Sequence, residues 1–386
     1  MKFLVLGSGL MGPAAAYIGM ISDDVSEVTL ADRSPEQLAL AQKRLAALPG
    51  LNKVTFAQID LADRAAASAL LARHDVVLAA LPPEIIPLGM RAAIATRRPL
   101  VDLSTPPAEE MEALGREAAE AGLLLLRGCG VEPGLTEIWA RHLAEELESI
   151  DSLHIKCGGI PAAPTPPLGY KIVFGGRRLP LRDSDGYAVE GGALVQVARY
   201  SDTERLTFDG IGEVEAWHEN FMPWLLELDA LKGLRTGSQK TVRWPGYAAK
   251  ATLLKELGLL SSQPIDIDGV SIAPKHFLDV LLYPQVRFDE TDRDSTLVRL
   301  DAKGTKNGKP TRLSVEMIDR YDEKLGFTSM ARTTAMTGAI IARMVGRGEI
   351  SGSGLLTPEK VIAGSHFHRL MEELAAIGVS FRRELL

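Results

Sequence analysis

Apolar and polar positions alternate in blocks along the first third of the chain. Short apolar runs at Lys2–Leu6, Glu27–Asp32, Val54–Ile59, Asp75–Ala80, Leu100–Leu103 and Leu123–Arg127 read as strands. The segments between them carry helical patterns, over Pro13–Ser22, Pro35–Leu48, Arg64–Ala72, Glu84–Thr96 and Ala108–Ala121. The run Asp75–Ala80 is apolar from Val76 onward, as expected of a strand covered on both faces. Pro82 and Pro83 end it, and Pro83 suits the first turn of the next helix. This βαβα rhythm predicts an α/β fold, a doubly wound parallel sheet of the Rossmann type.

The rhythm stops near Gly128-Cys129-Gly130. A helix is predicted over Leu135–Leu147. Gly158, Gly159, Pro161, Pro164, Pro166 and Pro167 then predict a loop. Strand candidates follow at Tyr170–Phe174, Leu194–Ala198, Arg205–Phe208, Thr296–Ala302 and Thr311–Asp319, mixed with helices, which predicts a second, α+β domain. Lys303–Lys309 reads as a hairpin turn, with Asn307-Gly308 as the favoured turn pair. Thr333–Arg347 reads as a helix with small residues on one side, and Ser365–Ile377 as the final helix.

Composition narrows the function. A chain of 386 residues, 46% hydrophobic and 24% charged, can bury a large core and suggests two domains. The net charge of −7 and an aromatic content of 5% argue against a nucleic-acid partner. The two cysteines, Cys129 and Cys157, are too few for a disulfide framework and lack metal-ligand spacing. That usage predicts a reducing, cytoplasmic setting and no bound metal. The first apolar run is broken by Gly7 and Gly9, too early for a secretory leader, and no run approaches membrane-spanning length. The expected partner is a small molecule.

Gly7-Ser8-Gly9-Leu10-Met11-Gly12 follows the first strand and opens the first helix, and Asp32 closes the second strand. This spacing is the dinucleotide-binding fingerprint. Gly7 permits a tight turn, Gly9 lets the backbone approach a pyrophosphate, and Gly12 lets helix and sheet pack closely. Asp32 should accept from the ribose hydroxyls and repel a 2′-phosphate, which favours NAD. The adjacent Arg33 and Ser34 keep NADP as the alternative. Leu81 and Pro82, at the end of the fourth strand, lie either along the cofactor or in a plain strand-to-helix turn. The expected cofactor contacts are therefore Gly7, Gly9, Leu10, Met11, Gly12, Asp32, Arg33, Leu81 and Pro82.

Further motifs occur in order: Leu81-Pro82-Pro83, Val101-Asp102-Leu103-Ser104 and Gly128-Cys129-Gly130-Val131-Glu132-Pro133-Gly134-Leu135-Thr136. Then come Cys157-Gly158-Gly159-Ile160-Pro161, Pro166-Pro167-Leu168-Gly169-Tyr170-Lys171 and Lys240-Thr241-Val242-Arg243-Trp244-Pro245-Gly246-Tyr247. This succession resembles the saccharopine dehydrogenase family, in its lysine 6-dehydrogenase-like branch. The resemblance implies an NAD(P)-dependent oxidoreductase acting on a C–N bond of a lysine-related amino acid. It implies a nucleotide domain over 1–128, completed by 352–386, and a substrate-binding domain over 129–351 that supports a homodimer. The chain departs from the family's pattern over Gly175–Asp183 and at His218-Glu219-Asn220-Phe221.

Oxidising an amine by hydride transfer needs a base for its proton and an anchor for the rest of the amino acid. Asp102, Glu132, Tyr170 and Lys171 are the candidates for the proton. Asp102 ends a parallel strand, where such sheets carry their sites, but could equally cap the helix after it. Glu132 lies in the Gly-rich loop at the junction of the predicted domains. By analogy with the family, Arg243 is assigned to the substrate carboxylate, which its guanidinium fork suits. Tyr170 could be core packing and Lys171 a solvated strand residue. His218 either lines the substrate pocket or solvates a loop. Cys129, between two glycines, reads as a small buried residue. Arg177, Arg178 and Arg182 stand where a second carboxylate anchor could be, which keeps open a saccharopine- or opine-type reductase. A non-catalytic NAD-binding regulator is the remaining reading.

Overall fold

The computed structural model describes residues 1–174 and 176–385. Gly175, in the departing run, and Leu386, in the closing segment, lie outside the described residues. The chain forms two compact units. The first takes Met1–Ile138 and Asp322–Ser380; the second takes Trp139–Tyr321 and the residues from Phe381 onward.

The first unit opens with β1 (Lys2–Leu6), α1 (Gly12–Ile21), β2 (Glu27–Asp32), α2 (Pro35–Leu45), β3 (Val54–Gln58) and α3 (Arg64–Leu71). It continues with β4 (Val76–Ala79), α4 (Ile86–Thr96), β5 (Leu100–Asp102), α5 (Ala108–Glu120) and β6 (Leu124–Leu126). The strands pair in parallel in the order β6-β5-β4-β1-β2-β3. The order reverses between β1 and β4, which opens a crevice at the carboxyl ends of those strands. Every residue of β4 is buried, as its unbroken apolar run requires. Leu4, Leu6, Val77 and Ala79 pack with Met90 of α4 and Leu114 of α5. Ser34 and Asp63 start α2 and α3 by accepting from the backbone N–H of Gln37 and Ala66.

Helix α6 (Leu135–Glu145) leads into the second unit. There follow β7 (Ser149–Pro161), β8 (Gly186–Glu190), β9 (Ala193–Val197), β10 (Glu204–Phe208), β11 (Gly212–His218), β12 (Thr236–Arg243) and α7 (Tyr247–Glu256). A two-stranded ribbon, β13 (Ile265–Ile267) and β14 (Val270–Ile272), precedes α8 (Pro274–Val286) and the long hairpin β15 (Asp294–Lys306) and β16 (Lys309–Arg320). The large sheet runs β10-β11-β12-β7-β15-β16. Asn307 and Gly308, both with positive φ, make the expected two-residue turn, but Lys303–Lys306 is strand.

Two expectations fail here. Cys157–Pro161 belongs to β7 and is not a loop. A Cβ on Gly158 would lie 2.1 Å from the Val242 carbonyl and 2.8 Å from Arg243 Nη1, so this glycine serves close approach. Tyr170–Phe174 is not a strand; only Ile172 makes a bridge, to Arg287. Tyr170, Ile172 and Val173 are all buried, so the segment fills the core without the two-sided alternation a strand ladder imposes.

The chain then returns to the first unit. Helix α9 (Ser329–Ala331) passes through a π-helical turn (Arg332–Met336) into α10 (Thr337–Gly346), followed by β17 (Gly354–Leu356), α11 (Pro358–Val361) and α12 (Ser365–Ala376). Strand β17 extends the first sheet in parallel beside β6. The compact units divide after Ile138 and before Asp322, where the expected limits were 128 and 352. The cause is the small-residue face of α10. A Cβ on Gly338 would lie 2.2 Å from the Leu103 side chain, and one on Gly346 2.9 Å from Val76. The helix thus lies directly on the nucleotide sheet. Arg343 fastens it, donating to Asp24 at 2.6 Å and to Glu373 at 2.6 Å. The last strand, β18 (Arg382–Leu385), pairs antiparallel with β16.

Candidate active site

The glycine loop meets its geometric requirements. Gly7 has φ +95°, and a Cβ there would lie 2.4 Å from the Ala80 carbonyl. A Cβ on Gly12 would lie 2.0 Å from the Gly7 carbonyl. Gly9, in contrast, is exposed with nothing within 4 Å of its Cβ position. Leu10 and Met11 are partly exposed, and no side chain caps the N-terminus of α1. Free N–H groups beside open space fit a pyrophosphate. Asp32 accepts from the Ser8 N–H at 2.7 Å and from the Ser34 N–H at 2.9 Å, so it braces the loop and retains acceptor capacity for a ribose. Arg33 beside it is exposed. Leu81 flanks the loop, its Cδ2 lying 3.5 Å from the Gly7 Cβ position, while Pro82 is exposed.

Asp102, at the end of β5, is fully buried. Its Oδ1 accepts from the Ser104 N–H at 2.8 Å, and Oδ2 has no hydrogen-bond partner. Burial pushes this carboxyl up to about 7. The same burial, with Asp102 nearby, pushes the Cys129 thiol well above its ordinary value, so that thiol is inert. The Asp102 backbone carbonyl accepts from the Cys129 N–H at 2.8 Å, which ties the end of β5 to the loop after β6. Glu132 is partly exposed on that loop. The Gly130 N–H donates to the Pro133 carbonyl at 3.0 Å, and the Leu135 N–H to the Gly130 carbonyl at 2.9 Å. A Cβ on Gly134 would lie 2.1 Å from the Gly130 carbonyl. Glu132 thus stands on a closed, rigid turn.

Sequence reasoning missed two buried carboxylates behind this loop. Glu137 accepts from the Gly134 N–H at 2.6 Å and from the Thr136 hydroxyl at 2.8 Å. Burial, with Glu137 adding to it, pushes Glu359 up to about 7. Neither shows a motif, because the two residues are joined only by the return of the chain to the first unit.

In the second unit Arg243 sits in an aromatic box. Its guanidinium lies 4.8 Å from the Tyr170 ring centroid and 5.9 Å from that of Tyr247. Trp217 stacks on Tyr247 with centroids 5.2 Å apart and an interplanar angle of 8°. Arg243 Nε, Tyr247 Oη and Trp217 Nε1 are buried without hydrogen-bond partners, and the buried Tyr170 hydroxyl lies within reach of Arg243 and the Val173 backbone. Burial raises both tyrosine hydroxyls, so they remain protonated donors. A guanidinium with three further buried donors in its neighbourhood suits an oxyanion or carboxylate. Trp217 and Tyr247 carry no signal in the sequence until the strand register is known.

The structure separates the other candidates from this box. Trp217 pairs with Thr241 and His218 with Lys240 across β11 and β12, so His218 and Arg243 project from opposite faces of the sheet. His218 lies 3.3 Å from Asp202, and burial and the nearby Lys240 lower its pKa. Lys171 is ion-paired with Asp292 at 3.1 Å and donates to the Arg287 carbonyl at 3.1 Å. Arg182 donates to Glu219 at 2.6 Å, Arg199 is ion-paired with the same carboxylate, and Arg177 lies over the Tyr283 ring. Among the described residues no cluster of acidic, histidine and cysteine side chains could hold a metal, and no helix is long and apolar enough to cross a membrane.

Fold and loop together define a two-unit protein with a NAD(P)-binding Rossmann unit and a second α+β unit. Residues 3–126 match the profile of the saccharopine dehydrogenase NADP binding domain, and residues 130–379 that of the saccharopine dehydrogenase C-terminal domain. The chain belongs to the saccharopine dehydrogenase family. It is 23% identical to the mitochondrial alpha-aminoadipic semialdehyde synthase of Bos taurus, over 96% of this chain and 47% of the relative, so it spans about half that protein's length. It is 23% identical to the saccharopine dehydrogenase [NADP(+), L-glutamate-forming] of Schizosaccharomyces pombe, over 100% of this chain and 99% of the relative. The solved structure of apo saccharopine dehydrogenase (L-Glu forming) from Saccharomyces cerevisiae superimposes with a TM-score of 0.81 at 20% identity, covering 100% of this chain and 99% of that one. That likeness concerns the fold.

Proposed function

We propose that the chain is an NAD(P)-dependent oxidoreductase acting on the C–N bond of a lysine-related amino acid, and that its reaction is the oxidative ε-deamination of L-lysine. The observation that carries this is the buried donor set around Arg243. It offers one carboxylate a charged fork and three further donors, counting Tyr170, Tyr247 and Trp217. Of the three arginines that a second carboxylate could use, Arg177, Arg178 and Arg182, two are engaged: Arg182 donates to Glu219 and Arg177 lies over the Tyr283 ring. That favours a substrate with one carboxylate.

Gly7, Gly9, Leu10, Met11 and Gly12 would hold the cofactor's pyrophosphate and Asp32 its ribose, with Leu81 and Pro82 beside it. The dinucleotide held there would supply the hydride acceptor for the ε-carbon. Glu132 takes the proton from the ε-ammonium, so that the amine is neutral as hydride departs. Arg243 holds the α-carboxylate and fixes the orientation. Water then converts the imine to the semialdehyde and ammonia, and the aldehyde closes on the α-amine to a piperideine carboxylate. The carboxylate of Asp32 supports NAD over NADP, because it would repel a 2′-phosphate.

The test is a panel of L-lysine, L-ornithine, saccharopine and amine-plus-oxo-acid pairs with each cofactor, followed by NAD(P)H absorbance. Turnover of L-lysine with NAD is expected. Turnover of saccharopine alone would establish the second reading, a reductase joining an amine to an oxo acid, which the names of the relatives favour. Cofactor binding with no turnover of any substrate would establish a regulator.

A further inference from the structure

A second cluster of buried charge lies beside the Arg243 box. Thr241 precedes Arg243 by two positions on β12, so both project from the same face of the sheet. The Thr241 hydroxyl donates to Glu219 Oε2 at 3.3 Å, which puts the Glu219 carboxylate on that face. Its other oxygen, Oε1, accepts from Arg182 Nη1 at 2.6 Å and is ion-paired with Arg199. The cluster touches the aromatic residues of the box. The Tyr200 ring lies 6.1 Å from that of Trp217, and the Tyr200 hydroxyl accepts from the Arg182 N–H at 2.9 Å. Two residues of strand, from Thr241 to Arg243, separate the two places by about 7 Å.

Each part of the cluster is held. The Arg199 side chain is 4% exposed, and its Nε and Nη2 donate to the carbonyls of Ser184 and Asp185 at 2.6 and 3.3 Å. The Glu219 N–H donates to the Gln239 carbonyl at 3.0 Å, and a Cβ on Gly186 would lie 1.5 Å from the Glu219 carbonyl, so β8 packs directly on it. The Arg182 side chain is 58% exposed, so the cluster opens to solvent there. Burial and the neighbouring Arg182 lower the Arg199 pKa to about 10, as two crowded cations require. A buried guanidinium without a counter-charge is costly, so this place needs a carboxylate. Two guanidinium groups and a hydroxyl on one carboxylate are also what an anionic ligand would be offered. Here the chain supplies the carboxylate itself.

We propose that Glu219 determines specificity: it fills an anion site made by Arg199, Arg182 and Thr241, and so restricts the substrate at the neighbouring Arg243 box to one carboxylate. The inference rests on the reading of that box as the anchor of a substrate carboxylate. A second carboxylate reaching past Trp217 meets Glu219, which repels it and already holds both arginines. Removing that charge turns the same place into a second anchor.

Glutarate, a dicarboxylate with no amine to react, probes the site in Glu219→Ala. The variant should melt below the wild type, and millimolar glutarate should raise its melting temperature by several degrees more than that of the wild type. Calorimetry should show the affinity for saccharopine relative to L-lysine at least about 10-fold higher in the variant, the worth of one charge-assisted anchor gained. Glu219→Gln keeps the shape, drops the charge and carries the test if the alanine variant does not fold. A destabilised variant that gains no more from glutarate than the wild type reveals a plain structural ion pair and overturns the proposal. So does an unchanged preference between saccharopine and L-lysine. Failure of the Arg243 reading looks different: Arg243→Lys would then leave the affinity for L-lysine unchanged, whereas glutarate reads the place of Glu219 directly.

Discussion

The guanidinium of Arg243 lies over the ring of Tyr170, 4.8 Å from its centroid, with the Arg243 Nε buried without a partner and the Tyr170 hydroxyl buried beside it. Cation and donor are thus held together by the stacked plane of the ring. Lysine can replace the charge but neither the fork nor the stacking. Arg243→Lys should raise KM for the amino acid by about 10- to 100-fold, the loss of one charged hydrogen bond or more, with the cofactor KM unchanged. Steady-state kinetics on both substrates checks this. An unchanged amino-acid KM would remove Arg243 from the site.

Glu132 stands on a turn closed by the Gly130–Pro133 and Leu135–Gly130 hydrogen bonds. Glu132→Gln keeps the shape and abolishes the basicity. It should lower kcat by about 10²-fold or more, the usual worth of a positioned base, and flatten the acid limb of the pH–rate profile. Cofactor affinity, read by fluorescence titration, should stay normal. Full activity in the variant would place the base elsewhere.

Two glycines of one motif should respond in opposite ways. Gly12→Ala drives a methyl into the Gly7 carbonyl, 2.0 Å away, and should lower the melting temperature of the first unit. Gly9→Ala meets nothing within 4 Å and should leave that temperature unchanged in the absence of cofactor. Its methyl would occupy the space where the backbone approaches the pyrophosphate, so NAD affinity should fall. Calorimetry and cofactor titration on both variants separate the two roles.

Asp102 links stability to pH. Its carboxyl ionises near 4 when unfolded and at about 7 when folded. Between those values the native state holds a proton that the unfolded chain has released. The contribution of the neutral, buried carboxyl is complete below about pH 4 and is lost as the pH rises through about 7. Asp102→Asn should remove that loss. Relative to the wild type it should gain stability from pH 5 to pH 8, by a few kcal/mol, in urea denaturation. A difference that does not vary with pH would show that Asp102 ionises normally.

The first unit was legible because its signals are local. Strand runs, helix patterns and the Gly7–Gly12 spacing all lie within a few tens of residues, and each strand is apolar for the same reason it is central. The site in the second unit was legible at Arg243 and Tyr170, through their motifs, and not at Trp217. Gly158 looked like a loop residue because close approach and turning both select glycine, and only the position of Val242 separates the two. Tyr170 looked like the head of a strand because a buried irregular segment has the same apolar content.

Composition and periodicity alone were enough for the nucleotide fold, its glycine loop and the small-residue face of the helix near the end of the chain. They could not tell where that helix docks. Only the folded chain shows α10 lying on β4 and β5, which moves residues 322–351 from one unit to the other. Nor could they set the register of β11 against β12, which sends Trp217 and His218 to opposite faces and leaves Arg243 with aromatic neighbours. Helical and strand periods are properties of adjacent residues. Register and docking are properties of residues far apart in the chain, and a shift of one position reverses every side chain on a strand.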